Sequence, residues 1–136
     1  MRWNSRWRKR CELSEQPESK IESARKLAHA ILDILDETKG EDIMILDLVE
    51  VCSFTDFFVL STGSTERMLD ALADTVRSTL KKQHGLGVVK IEGDAQSGWI
   101  LLDYGNVIVH LFSQDLRKYY NLEDLWREGK ILIRIQ

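Results

Sequence analysis

Three histidines, two cysteines and 22 acidic side chains are the raw material for chemistry in this 136-residue chain. Metal-dependent nucleotidyl transfer would need two carboxylates two residues apart on one strand face, holding a divalent cation against a triphosphate. Asp47 and Glu50 differ by three and so point to opposite faces of a strand. Glu92 and Asp94 have the spacing but read as a loop around Gly93. For nucleophilic catalysis, Asp103 and His110 become diagonal neighbours if the intervening hairpin closes through two residues. That is half of a triad, and no Ser or Cys is placed by sequence to complete it. Cys52 has no local activating signature. Cys11 and Cys52 alone can supply neither a structural zinc site nor a disulfide framework. The segment STGSTER at 61–67 has one Gly before a helix, where backbone amides could receive an anion. It lacks the glycine spacing and lysine of a phosphate loop. No catalytic set and no metal site are therefore expected.

The elements that would position these groups follow from periodicity. Ile21, Ala24, Ala28, Ile31 and Leu35 recur at helical spacing from Ser19, and Gly40 is a natural stop. DIMILDLVEV is rich in branched residues and reads as a strand over 43–49, with a second strand, FFVLST, at 57–62. Ser64 or Thr65 can cap the helix that follows, whose stripe is Leu69, Leu72, Ala73, Val76 and Leu80. It stops near His84 and Gly85. GVVKI at 87–91 reads as a short third strand.

The strongest local signal is a hairpin. WILLDY and VIVHLF flank Gly105-Asn106, a dipeptide suited to a two-residue turn. That turn pairs Tyr104 with Val107, Leu102 with Val109 and Ile100 with Leu111, an apolar face expected to be core. The opposite face sets Trp99 beside Phe112, Leu101 beside His110 and Asp103 beside Ile108. This mixture suits a sheet only half covered by helices, with the mixed face open to a partner. Trp99 could serve there equally as core or as contact. After the hairpin, residues 113–126 read as a short helix, a Tyr-Asn turn and a second helical turn ending at Trp126; ILIRI at 131–135 could add a strand. The fold expected is a single α/β domain with two long helices on a mixed sheet of about five strands. Its core includes Ile45, Val59, Leu72, Val76, Leu102 and Val109.

Composition narrows the function further. With 43% hydrophobic residues, eight Gly and one Pro, the chain suits one globular domain rather than a fibrous or largely disordered one. No apolar run approaches the ~20 residues of a membrane span, and the basic start never meets a signal-peptide core. Reduced thiols and a cytoplasmic location are the expectation. Residues 1–18 hold five basic and three acidic side chains, which leaves 14 basic and 19 acidic for the remainder. The division expected is thus a basic, flexible segment at 1–18, carrying Trp3 and Trp7, and a domain over 19–136. A domain this acidic argues against direct, phosphate-led nucleic-acid binding and suits a basic protein partner.

KGEDIMILDL, SFTDFFVLSTG, STER, EGDAQSGWILLDYGNVIVHLF and RKYYNLEDLW occur here in the order seen in the Iojap-related ribosomal silencing factors, which the chain resembles from about Ala24 to Trp126. Asn106 stands where that family usually has Asp. The resemblance implies a nucleotidyltransferase-like fold without catalysis or cofactor. It implies a translational repressor that binds the large ribosomal subunit through its fourteenth protein, a basic protein at the subunit interface. Bound there, it would block an intersubunit bridge and keep the small subunit from joining, chiefly when nutrients are scarce. The family's contact positions match Trp99 and Tyr104. Leu101 and Asp103 join them from the hairpin geometry. A homodimer stays open. So do two other readings: a nucleotidyltransferase-type enzyme with Glu92, Asp94 and Asp103 as atypical metal ligands, and an assembly factor that binds ribosomal RNA through its basic N-terminus.

Overall fold

Residues 18–50, 55–120 and 130–135 are described by the computed structural model. The basic segment up to residue 17, with Trp3, Trp7 and Cys11, lies outside these residues, as do Cys52 and the expected helical turn at Trp126. The first helical stripe folds as expected: α1 (Glu18–Glu37) buries Ala24, Ala28, Ile31 and Leu35. In the second helix, α2 (Glu66–His84), the Thr65 hydroxyl accepts from the Met68 N–H and so caps the first turn. Gly85, in the left-handed region, ends it. Its buried residues are the five of the expected stripe.

The strands are β1 (Glu41–Asp47), β2 (Phe57–Gly63), β3 (Lys90–Asp94), β4 (Trp99–Asp103), β5 (Val107–Ser113) and β6 (Lys130–Ile135), with a short helix α3 (Gln114–Tyr120) after β5. They form one six-stranded mixed sheet in the order β3-β4-β5-β2-β1-β6. Only β2 and β5 run parallel; the other neighbours are antiparallel. A parallel pair needs a long crossover, and α2 supplies it, with β3 and β4 added at the sheet's edge. The single α/β domain is thus as expected, with a sixth strand contributed by the ILIRI segment. The third strand sits three residues later than its apolar pattern suggests. Val88 and Val89 precede it, and the polar residues Glu92 to Asp94 pair with β4.

Both faces of the sheet carry a core. On one side α1 and α2 cover Ile45, Val59, Leu102 and Val109, and all six expected core residues are buried there. On the other side Met44, Leu46, Phe58, Leu60, Trp99, Leu101, Ile108 and Phe112 form a second cluster, with Leu116 of α3 packed against it. The expectation of a sheet open on one face is therefore wrong. The physical sign was present in IMIL and FFVL: strands that are apolar at successive positions belong to sheets covered on both sides. All seven residues of β2 are buried for this reason.

Candidate partner-binding face

The hairpin closes in the expected register, with Leu102 opposite Val109, Leu101 opposite His110 and Asp103 opposite Ile108. At its tip the Tyr104 N–H donates to the Val107 carbonyl at 2.9 Å, and the Gly105 N–H donates to Asp103 Oδ1 at 2.7 Å. Gly105 takes φ of +87°, a conformation that favours glycine, so the turn residue matches its geometry.

The four candidate contact residues do not share one exposed surface. Trp99 is only 6% exposed and Leu101 is fully buried, both in the second core. Asp103 and Tyr104 meet at the accessible tip and are half-buried. Trp99 is five residues from Tyr104 along an extended strand, roughly 17 Å at the usual rise. Tyr104 also faces the other way, packing against the helix-side core. Its hydroxyl is shielded from solvent and has no hydrogen-bond partner among the described residues. Burial raises the phenol's pKa, and the Arg77 charge acts in the opposite direction.

Away from the tip, toward the open end of the hairpin, lies an aromatic stack. The Trp99 ring lies 6.2 Å from His110 and 6.2 Å from Phe112, nearly parallel to both, and Phe58 meets His110 edge-on at 4.6 Å. Trp99 Nε1 donates to His110 Nδ1 at 3.4 Å, which fixes that nitrogen as an acceptor in a neutral ring. Burial, helped by the Arg117 charge, pushes the His110 pKa down to about 3. An imidazole in this state is a core group. The Asp-His half-triad does not form: Asp103 Oδ1 accepts from the Gly105 amide at the turn, and His110 Nδ1 accepts from the Trp99 indole.

The alternative metal set fares differently from the sequence reading. Glu92 and Asp94 lie on β3, not in a loop, and Asp103 shares their face because Lys90 pairs with Asp103 in register. Lys90, at the start of the same strand, holds its ammonium 2.8 Å from Glu92 Oε1. Asp94 Oδ1 accepts from the Ser97 N–H and so holds the following turn. No group of three or more His, Cys, Asp or Glu that could hold a metal occurs among the described residues.

Sequence reasoning missed one charged cluster. Arg117, 7% exposed, donates from Nη1 to the Asp42 carbonyl at 2.9 Å and to Thr62 Oγ1 at 3.0 Å. Arg134 of β6 grips the Asp42 carboxylate with two hydrogen bonds of 2.9 and 3.1 Å. Together they tie α3 and the last strand to a residue of β1 whose φ is +44°. Nothing in the local pattern around Arg117 marks it as buried, because its partners are 55 and 75 residues away.

Residues 21–135 match the family described as "Ribosomal silencing factor during starvation". The chain belongs to the ribosomal silencing factor family. Among curated members, the ribosomal silencing factor of Halalkalibacterium halodurans is 34% identical over 107 residues, 79% of this chain and 91% of that one. The mouse protein named "Mitochondrial assembly of ribosomal large subunit protein 1" is 30% identical over 98 residues, 71% of this chain and 43% of its own. A crystal structure of a Chromobacterium violaceum protein superposes with a TM-score of 0.68 at 36% identity, covering 78% of this chain and 85% of that one. The family resemblance read from the hairpin and its flanks is thereby borne out. The silencing-factor relatives are regulatory by name. No helix among the described residues is long and apolar enough to cross a membrane.

Proposed function

We propose that this protein is a non-catalytic translational repressor of the cytoplasm. It binds the large ribosomal subunit through that subunit's fourteenth protein, blocks an intersubunit bridge and prevents association with the small subunit when nutrients are limiting. The observation that carries this reading is the family match, which spans nearly the whole described domain. The mouse relative, named for assembly of the large subunit, supports the choice of subunit. The excess of acidic side chains after residue 18 supports a basic protein partner over RNA.

Within this reading the hairpin divides its labour. Asp103 and Tyr104, half-buried at the tip, make the contact. Trp99 and Leu101 act from beneath: packed in the second core, they fix the strand that presents the tip. The test is calorimetric titration of the purified fourteenth protein into the native chain and into Asp103→Lys. Saturable binding that weakens with added salt and falls at least ~tenfold in the variant is expected, a typical effect of reversing a contact charge. Absence of binding to the native chain would refute the proposal.

A further inference from the structure

The strand β3 ends the sheet, and its outer side pairs with no strand among the described residues. Natural sheets blunt such edges, because unpaired N–H and C=O groups template association. Here Lys90, Glu92 and Asp94 do so on one face only. On the other face Ile91, opposite Leu102 and therefore on the α2 side, is 42% exposed. Val89 and Leu86, just before the strand, are 73% and 39% exposed. Between Leu86 and Val89 in the chain, Gly87 and Val88 join Asp74, Arg77, Ser78 and Lys81 of α2 in lining a cleft of about 580 Å³.

The charge at this cleft is opposite in sign to that of the domain. Arg77 and Lys81, one helical turn apart, outnumber Asp74, and neither cation has a hydrogen bond or ion pair among the described residues. An open strand edge, apolar side chains alternating along it and two cations on the adjacent helix are the parts of a β-addition site. We infer that the β3 edge and the α2 cleft form a second docking groove for an extended segment of a partner protein with alternating apolar and acidic residues. Its backbone extends the sheet. Its apolar side chains cover Val89 and Ile91, and its carboxylates face Arg77 and Lys81. This groove borders the hairpin tip, since the Arg77 charge acts on the Tyr104 phenol and the Val89 N–H donates to the Asp103 carbonyl at 2.7 Å; its two cations select an acidic occupant, unlike the basic partner proposed for the tip.

The test uses the full chain, isotopically labelled, and a short capped peptide of alternating valine and glutamate, with its valine–lysine counterpart as control. Amide NMR shifts should saturate with the glutamate peptide and centre on residues 88–94, Arg77 and Lys81, and β3 amides should exchange more slowly. Reversing both charges in Arg77→Glu, Lys81→Glu should weaken binding about tenfold, the equivalent of two exposed ion pairs. Val89→Asp should abolish it, and the same spectra report whether each variant is folded. Lack of saturation, or equal response to the lysine peptide, would overturn the inference. So would the same shifts arising with protein concentration alone, which would make the occupant a second copy, or with an oligouridylate, which would make it RNA.

Discussion

Replacing Trp99 by Ala should unfold more of this protein's stability than its sequence position suggests. An indole on a mixed strand face reads as a candidate surface anchor, whose truncation would spare the fold. In the structure the side chain is 6% exposed, stacks on His110 and Phe112, and gives His110 Nδ1 its donor. Truncating a buried Trp typically costs about 3–5 kcal/mol, and a lost buried hydrogen bond adds about 1 kcal/mol. We expect a loss near 4 kcal/mol, a large share of the 5–15 kcal/mol usual for a domain. Val109→Ala, which removes less volume from the opposite core, should cost only about 2 kcal/mol. Urea denaturation followed by far-ultraviolet circular dichroism gives both values. A Trp99→Ala loss below about 1 kcal/mol, or one smaller than that of Val109→Ala, would refute the assignment of Trp99 to the core.

Stability should also depend on His110. Its folded pKa of about 3 lies below the ordinary 6.5, so the unfolded chain takes up the proton first and stability falls as pH drops between these values. The slope reaches at most ~1.4 kcal/mol per pH unit. The raised pKa of Asp56, due to burial and then to Asp47, opposes this at the acid end. His110→Phe should flatten the slope, and an unchanged pH profile would contradict the neutral buried imidazole. Two glycines with positive φ should differ: Gly93→Ala drives a Cβ into the Trp99 carbonyl and should cost at least ~2 kcal/mol, whereas Gly105→Ala meets no atom within 4 Å and should cost only ~1 kcal/mol. Equal losses by denaturation would show that strain alone, not the contact, decides. Arg117→Met should lower stability by about 3 kcal/mol, because Asp42 and Thr62 lose a buried partner; a neutral change would contradict the network's role. Titration with magnesium and nucleoside triphosphate should give no saturable heat, and a micromolar site, about −8 kcal/mol, would revive the enzyme reading.

The elements were legible where a local rule sufficed. Thr65 and Gly85 bracket α2, the stripe from Leu69 to Leu80 sets its buried side, and Gly105-Asn106 fixes the hairpin register. The burial of the hairpin's second face was not read, because Trp99, His110 and Asp103 disguise as mixed a face that Phe58, Leu60 and Leu46 fill from distant strands. The alternation test looks along one hairpin, whereas the covering of a sheet is decided across all its strands. The same distance hid Arg117, whose partners come from β1 and β2. At the candidate site, Asp103 and Tyr104 flank the turn in the register that the sequence predicts, but their separation from Trp99 along and across β4 needed the fold.

The central claim is that this chain sits on the large subunit and keeps the small one away. Purified large and small subunits, mixed with the chain and resolved on a sucrose gradient, test it directly. The account predicts that the chain migrates with the large subunit and that joined ribosomes are depleted. Asp103→Lys, still folded by circular dichroism, should lose both effects. Normal joining in the presence of excess native chain, with the chain left at the top of the gradient, would contradict it.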